Sequence, residues 1–488
     1  MASPKKYCCF LFASVLAISI FFNNGIAIEE ETKATETESW LTVSLSSLLP
    51  SQTCTPFTGL KKNSSLEVIQ RHGPCSELKH GKANPKTTPT HFDILSEDQA
   101  RVDSIHSKLS ESFDHGNMKQ LDSANIPVRS GMPLNTASYI VTIGFGSPKT
   151  DLSLAFDTGS YLTWTQCTPC LVKCYNQQEP IFDPSKSTTY SRIFQCGASK
   201  CNEIFSTAKY QECANPDYGD TCIYTVKYAN TDFSIGFLSK DRLTITAGDT
   251  FDNFLFGCGQ NNLGDALGRT AGKLGLGRHP ISFVQQTATT YDKVFSYCLP
   301  STTSSFGHLT FGSDGVRKNV QYTPITTVPN LTSFYGISVN GITVGGIELS
   351  SVASTLSSAS AVIDVSTLIT RLPPSVYAAL RSEFRQQMTM YPMASEISIL
   401  DTCYDLSGYN DGTVMIPKIS LEFGDKVKLD LDVSGIVFVV STKQVCLAFA
   451  ANEREDDVLI LGSVQQKTID VVFDLNAERL GFGPAGCM

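Results

Sequence analysis

The chain has 488 residues, is 41% apolar and carries a formal net charge of −9. This length allows two lobes with substantial cores. The negative charge argues against a nucleic-acid partner, because phosphate binding needs a basic surface. Val, Thr, Ile and Gly are plentiful and long amphipathic helices are few, which favours a mostly β fold.

Residues 1–27 are predicted to be a secretory signal peptide. Lys5 and Lys6 precede an apolar run over 7–22, and the small residues Gly25 and Ala27 follow it. A membrane anchor is the alternative, but a run of about 16 residues is shorter than a spanning helix needs. We therefore expect a protein secreted to the extracellular space or apoplast, with the vacuole as a second possible destination and no membrane contact after signal cleavage.

Residues 28–130 differ in character from the remainder of the chain. The segment is polar and contains five of the seven histidines, which are His72, His80, His91, His106 and His115. Apolar spacing predicts one amphipathic helix over 96–109. On composition alone, the segment is interpreted as a solvated tail.

The first candidate site residue is Asp157. Alternating apolar residues over 152–156 predict a strand that ends at Asp157, and Thr158, Gly159 and Ser160 predict a tight turn after it. Such a turn offers N–H groups and hydroxyls that favour the charged carboxylate and lower its pKa. The pattern alone also fits an ordinary aspartate in a strand-end turn.

A second, similar stretch strengthens the prediction. Apolar residues over 361–363 lead into Asp364, and Val365, Ser366 and Thr367 follow. Each aspartate is also followed later by an apolar-Gly element, at 274–275 and at 460–462. This repetition predicts two related lobes, each contributing one carboxylate.

Together these features resemble the pepsin-like aspartic proteases of plants, in the nepenthesin-type branch that includes chloroplast nucleoid DNA-binding-protein-like members. The resemblance covers roughly residues 130–488. It rests on Asp157-Thr158-Gly159-Ser160, Trp164, Tyr228, Leu274-Gly275-Leu276-Gly277, Asp364, Ile369-Thr370-Arg371-Leu372-Pro373-Pro374 and Cys487.

The resemblance implies a bilobal, mostly β fold with an active-site cleft between the lobes. Residues 131–324 would form the N-terminal lobe with Asp157, and residues 325–488 the C-terminal lobe with Asp364. Residues 28–130 would be a propeptide that shields the cleft until acid removes it, with its histidines as a pH switch. No cofactor is implied.

The resemblance also implies a flap that folds over bound peptide. The alternating residues 222–228, a turn and a second strand at 236–246 predict the hairpin. Tyr228 matches the flap tyrosine, and its hydroxyl is expected to bond Trp164 or substrate. The plainer alternative is a sheet tyrosine and a core tryptophan.

The cysteines are expected to form disulfides, because the predicted signal leads to an oxidising compartment. Cys8 and Cys9 lie in the signal, and Cys54 and Cys75 follow it. The resemblance implies six bridges among the other twelve, without fixing their pairing: Cys167, Cys170, Cys174, Cys196, Cys201, Cys213, Cys222, Cys258, Cys298, Cys403, Cys446 and Cys487. The close spacing at 167–174 also suits zinc, but no histidine lies near it, so no metal is predicted.

Ala229-Asn230 stand where the family usually has Gly-Asp after the flap tyrosine, and three positions near the two aspartates also depart from the family pattern. Thr158 keeps the hydroxyl that bonds across to the opposite loop, whereas Val365 has none to return. Ser366 stands where the family has glycine, although its N–H remains available to a carboxylate, and Thr367 keeps the outer hydroxyl. Lys273 replaces an apolar residue, so it must pair, reach solvent or shift the loop.

Three functions remain open from the sequence. The first is a monomeric, secreted aspartic endopeptidase that cleaves extended polypeptides at acid pH with an Asp–Asp dyad and an activated water. The second is a catalytically weak or inactive binding or inhibitor protein on the same scaffold. The third is a secreted β protein with coincidental motifs. Asn330 begins a glycosylation pattern, so a glycoprotein is expected.

Overall fold

The fold is taken from a computed structural model. It describes residues 39–49, 51, 53–55, 64–71, 73–76, 90–110, 139–193, 201, 221–228, 232–264, 268–313, 316–409, 413–484 and 486–487. The predictions for the signal peptide, for His72, His80 and His115, and for Cys196 and Cys213 lie outside these residues.

The chain is built mainly of strands, as predicted. The strands are β1 (Trp40–Ser44), β2 (Ser65–Gln70), β3 (Tyr139–Phe145), β4 (Thr150–Asp157), β5 (Trp164–Gln166), β6 (Ser191–Arg192), β7 (Ile223–Lys227), β8 (Phe233–Thr246), β9 (Asp249–Leu263), β10 (Gly272–Gly275), β11 (Val294–Cys298), β12 (Gly307–Phe311), β13 (Gln321–Pro324), β14 (Tyr335–Ile337), β15 (Val339–Val344), β16 (Ile347–Glu348), β17 (Ala361–Ile363), β18 (Thr370–Leu372), β19 (Met393–Ala394), β20 (Cys403–Asp405), β21 (Thr413–Pro417), β22 (Ile419–Phe423), β23 (Lys428–Asp430), β24 (Val437–Ser441), β25 (Gln444–Leu447), β26 (Phe449–Ala451), β27 (Leu459–Leu461), β28 (Asp470–Asp474) and β29 (Arg479–Gly483). The α-helices are α1 (Leu45–Leu48), α2 (His91–Ser110), α3 (Phe283–Gln286), α4 (Ala288–Tyr291), α5 (Ala353–Ser358), α6 (Pro374–Gln387) and α7 (Val433–Ile436). Helix α6 begins directly after Pro373 and buries Val376, Tyr377, Leu380 and Phe384.

Two units repeat the same local arrangement, which confirms the predicted internal similarity. In the first, β10 runs parallel to β4 and places Gly275 opposite Asp157. In the second, β27 runs parallel to β17 and places Leu461 opposite Ile363, directly before Asp364. Each aspartate therefore emerges from a buried strand end that the apolar-Gly element supports from the side.

The two units are joined through one large sheet. Its order is β13-β29-β28-β11-β12-β2-β3-β4-β10-β5-β9-β8-β6, and β7 pairs with β8. Strands β28 and β29, from the end of the chain, pair with β11 and β13. The domain limits 131–324 and 325–488 remain predictions, because this sheet draws strands from both.

The N-terminal segment is packed onto the rest of the protein. Strand β1 pairs with β21, and β2 lies between β12 and β3. Helix α2 buries Leu95, Val102 and Ile105 against residues of the second unit. The expectation of a solvated tail is therefore wrong for these elements, because they bury apolar side chains and complete a sheet.

The described cysteines all form disulfides. The pairs are Cys54–Cys75, Cys167–Cys258, Cys170–Cys174, Cys201–Cys222, Cys298–Cys487 and Cys403–Cys446. The spacing at 167–174 is thus explained by disulfide formation, which removes the thiolates that zinc would need. One of these pairs, Cys54–Cys75, lies inside the N-terminal segment.

The predicted flap hairpin is present. Strands β7 and β8 pair antiparallel from Ile223 opposite Phe237 to Lys227 opposite Phe233, so the turn is shorter than expected. The tip residues 229–231 lie outside the described residues.

Asn330 is exposed on a turn with φ +66°. Within the described ranges, no helix is long and apolar enough to cross a membrane.

Candidate active site

The first carboxylate, Asp157, is held by its own turn. The Gly159 N–H donates to Asp157 Oδ1 at 2.9 Å, and the Ser160 hydroxyl donates to Oδ2 at 2.8 Å. Asp157 is fully buried. These are the contacts that the sequence predicted, and they fix the direction of the carboxylate.

The second carboxylate, Asp364, is also fully buried but has less support. The Thr367 hydroxyl donates to its Oδ2 at 2.7 Å. Although the Ser366 N–H was expected to remain available, no hydrogen bond from it to Asp364 is formed among the described residues. The two loops therefore differ at this position: the Gly159 N–H bonds Asp157, whereas the N–H of the corresponding Ser366 does not bond Asp364.

One hydrogen bond links the two loops. The Val365 N–H donates to the Thr158 hydroxyl at 3.1 Å. Val365 is buried and has no hydroxyl with which to return that bond. The link is therefore made in one direction only, as its sequence predicts.

The structure brings the two carboxylates together around one arginine. Arg101 lies on α2, and one of its nitrogens, Nη2, contacts both carboxylates. It lies 3.2 Å from Asp157 Oδ1 and 3.1 Å from Asp364 Oδ1. Its Nε lies 3.1 Å from Asp364 Oδ2. The carboxylates thus face each other across a space that this guanidinium fills.

Glycine at position 159 makes this approach possible. A Cβ there would lie 2.9 Å from Arg101 Nη2 and 2.4 Å from Phe334 Cε1. Since Phe334 is a buried ring of the second unit, any side chain at 159 would displace the guanidinium or separate the two loops.

Lys273 forms a second cationic contact with the first carboxylate. Its Nζ lies 2.7 Å from Asp157 Oδ2 and 4.1 Å from the centre of the Tyr228 ring. Of the three expectations for this lysine, the structure shows pairing. Unlike Arg101, Lys273 does not belong to the N-terminal segment, which ends at residue 110. It lies on β10 in the main body of the protein, the described residues from 139 onward.

These neighbours set the protonation of the site. Burial alone would raise the pKa of Asp157, but the Arg101 guanidinium and then the Lys273 ammonium outweigh burial and hold that pKa well below its usual range. Burial lowers the pKa of Lys273, and Asp157 opposes that effect. In this closed form Asp157 is a carboxylate engaged by two cations.

Tyr228 forms the hydrogen bond with Trp164 that was expected for it. The Trp164 ring N–H donates to the Tyr228 hydroxyl at 2.7 Å, and the two rings stack with centroids 6.5 Å apart. Tyr228 follows β7, and its N–H donates to the Asp232 carbonyl at 2.8 Å. Tyr228 therefore lies beside Lys273 and links it to Trp164.

A further ion pair on α2 was not predicted. Asp98 contacts Arg371, with 2.9 Å between Oδ2 and Nη2, and both side chains are buried. Asp98 and Arg101 stand among the apolar positions 95, 102 and 105, all on one helix face. Two charged residues within an apolar stripe were the available signal, because a buried charge requires a partner.

Comparison with known proteins agrees with this geometry. The family described as xylanase inhibitor N-terminal matches residues 139–313, and the one described as xylanase inhibitor C-terminal matches residues 334–484. Among solved structures, edgp aligns with a TM-score of 0.59 at 21% identity, covering 72% of this chain and 92% of that one. The basic 7S globulin from soybean aligns with a TM-score of 0.55 at 22% identity, covering 71% and 91%. These two structures support the bilobal β fold.

Relatives of known name extend the match to almost the whole chain. An aspartyl protease family protein of Arabidopsis thaliana is 48% identical over 97% of this chain and 98% of its own length. Aspartyl protease AED1 of the same plant is 44% identical over 91% and 92%. Aspartic proteinase nepenthesin-2 of Nepenthes gracilis is 29% identical over 84% and 92%. With both family matches and two carboxylates facing each other in the cleft, the chain belongs to the plant pepsin-like aspartic proteases.

Proposed function

We propose that this chain is the precursor of an aspartic endopeptidase that is held inactive by α2. The observation that carries the proposal is Arg101, whose one nitrogen bonds both Asp157 and Asp364. A guanidinium at that point occupies the place where a catalytic water would bind. Withdrawal of α2 would leave the carboxylates facing each other with the space between them free.

In the open form, two carboxylates this close do not both ionise freely, so the pair shares one proton. Such a dyad works by general acid–base catalysis. The charged carboxylate takes a proton from the bound water while the water oxygen attacks the peptide carbonyl carbon. The neutral carboxyl donates its proton toward the carbonyl oxygen. The tetrahedral intermediate then collapses, the C–N bond breaks and the amine leaves with a proton from the dyad.

A weak or inactive binding protein is the second candidate, and Lys273 is the observation that favours it. Lys273 stays beside Asp157 Oδ2 after α2 departs, because it lies on β10. The one-way link at Val365 also leaves the second loop less firmly fixed. Both features act on geometry and protonation and leave the two carboxylates in place.

The test starts from the folded full chain. A site for a sequence-specific protease is inserted within residues 111–138, the chain is cut and the N-terminal piece is removed by dilution and filtration. Hydrolysis of a denatured protein is then followed between about pH 3 and pH 6. We expect cleavage that a statine-type inhibitor blocks and that Asp157→Asn or Asp364→Asn abolishes. The control is Asp456→Asn, which removes an exposed carboxylate paired with Arg454.

Absence of any cleavage by the cut protein at every pH would remove the endopeptidase proposal. If the cut protein bound the statine-type inhibitor without hydrolysing protein, the binding-protein candidate would take its place. Cleavage that persisted in Asp364→Asn would contradict the dyad itself.

The surroundings of the proposed enzyme follow from the sequence. We propose that it is secreted, that it acts as a monomer on an extended polypeptide and that Asn330 is glycosylated. Expression in a plant cell with mass measurement of the secreted protein, before and after removal of N-glycans, tests secretion and glycosylation together. Light scattering of the same sample tests the monomer.

A further inference from the structure

A carboxylate-binding position lies beside the dyad in the second lobe. The N–H groups of Leu368 and Ile369 both donate to the Asp98 carboxylate, the second at 3.3 Å, and Arg371 Nη2 donates to it at 2.9 Å. Two backbone donors and a guanidinium form a typical cradle for a carboxylate. The carboxylate that fills it belongs to α2, whereas all three donors belong to the main body.

Arg371 depends on α2 for its neutralisation. It is fully buried in β18, which lies between β27 and the edge strand β26 of a five-stranded sheet. Its hydrogen-bond acceptors among the described residues are Asp98 and Gln99. Burial lowers the pKa of Arg371, and the carboxylates that oppose this effect are Asp98 and Asp103. Its Nε and Nη1 have no hydrogen-bond partner within the same residues. Departure of α2 would therefore leave a positive group without a counter-charge, which is unfavourable unless another anion replaces Asp98.

The position is close to the reacting centre. Leu368 follows Thr367, whose hydroxyl bonds Asp364. On α2, Asp98 and Arg101 are three residues apart and share one face, so about 4.5 Å of helix rise separates them. In an extended peptide, this distance corresponds to about one or two residues.

We propose that Arg371, with the N–H groups of Leu368 and Ile369, is a carboxylate subsite of the open cleft. It selects peptides that carry an Asp or Glu side chain within about three residues of the scissile bond. In the closed protein, Asp98 occupies this subsite while Arg101 occupies the dyad. The proposal rests on the proposed function in one respect, that the cleft accepts a peptide.

The test measures binding, so that it does not depend on catalysis. The full chain is folded and cut within 111–138, and the N-terminal piece is then removed by dilution and filtration so that its own α2 no longer fills the site. A fluorescent peptide of residues 90–110 is competed against short peptides at pH 5.5, where Asp side chains are ionised. Each competitor has a reduced, non-cleavable central bond and a single Asp at one of six positions. Its partner has Asn at the same place.

We expect one position, or two adjacent ones, at which the Asp peptide competes ~10- to 100-fold better than its Asn partner. Arg371→Gln is expected to bring that ratio close to one. The matched control is Arg381→Gln, in the same lobe but partly exposed and paired with Asp401, and it should leave the ratio unchanged. A labelled peptide with Asp98→Asn should bind ~10-fold more weakly than the original.

Equal competition by Asp and Asn peptides at all six positions would overturn the subsite, and this scan decides even if Arg371→Gln does not fold. An Asp preference without hydrolysis of cleavable versions would uphold the subsite while the endopeptidase proposal fails. Hydrolysis of the cleavable peptides without any Asp preference would uphold the endopeptidase proposal while the subsite proposal fails. If only the helix peptide depends on Asp98, the pair serves α2 alone and the proposal is wrong.

Discussion

The contact between Arg101 and the two carboxylates allows a direct prediction. In Arg101→Gln, the full chain keeps α2 but loses the guanidinium. Arg101 is only 8% exposed, and its guanidinium makes three hydrogen bonds of 3.1–3.2 Å. Removing one member of a buried charge pair costs about 3–5 kcal/mol. Lys273 still compensates Asp157, so we expect the lower figure, about 3 kcal/mol, and a ~100-fold increase in opening of the helix.

Amide hydrogen exchange of α2 at pH 7 measures that opening. Exchange should become ~100-fold faster across the part of the helix that follows Asp98, while β8 and β9 keep their rates. Arg454→Gln, which removes an exposed arginine, is the control and should change nothing in α2. Unchanged exchange in Arg101→Gln would show that apolar packing alone holds the helix, and the reasoning about the ion pair would be refuted.

Three further predictions concern the same site. The pKa of Asp157 is held low in the closed form, so its contribution to stability is fully present above about pH 4 and is lost as the pH falls through the folded value. The protection of α2, which is its exchange rate relative to the unprotected rate at the same pH, should therefore be weaker at pH 3 than at pH 6, and equal protection would contradict a low pKa for Asp157. In the cut protein, Lys273→Leu removes the ammonium 2.7 Å from Asp157 Oδ2, so the acid limb of the pH–rate profile should move to higher pH, whereas an unmoved limb would mean that Lys273 leaves Asp157 during turnover. Val365→Ser combined with Ser366→Gly should restore the returned hydrogen bond and the backbone approach, raising kcat by ~10- to 100-fold; no gain would show that the altered loop does not limit the rate.

The two carboxylates were predictable because their signals are local. An apolar strand that ends in Asp, followed by hydroxyl residues and glycine, specifies the turn at 157–160 without reference to distant parts of the chain. Repetition of the pattern at 364 then implies two lobes. The helix over 96–109 was predicted for the same reason, although α2 begins earlier, at His91. Its start is set by reciprocal bonds between Thr90 and Asp93, with the Thr90 N–H donating to the carboxylate at 2.9 Å.

The occupancy of the cleft was not predictable in the same way. Whether Arg101 meets Asp364 depends on how a helix docks across a separation of 263 residues. No local pattern encodes that separation. The composition of 28–130 favoured a solvated tail, because polar residues dominate outside the apolar stripe of α2. Lys273 illustrates the intermediate case: the need for a partner followed from the sequence, whereas the choice of Asp157 required the structure.

Strand β2 belongs to the N-terminal segment but pairs with β12 and β3 of the main body, so a cut between residues 110 and 139 leaves this pairing between two separate chains. The described disulfides join Cys54 to Cys75 within the N-terminal segment and the other cysteines to one another, so none ties the segment to the main body. The nicked product is then a two-chain complex whose halves separate on dilution, with a dissociation constant like that of any subunit pair. When the N-terminal segment leaves with β2, the edges of β12 and β3 become unpaired. Such unpaired edges readily pair with another extended chain.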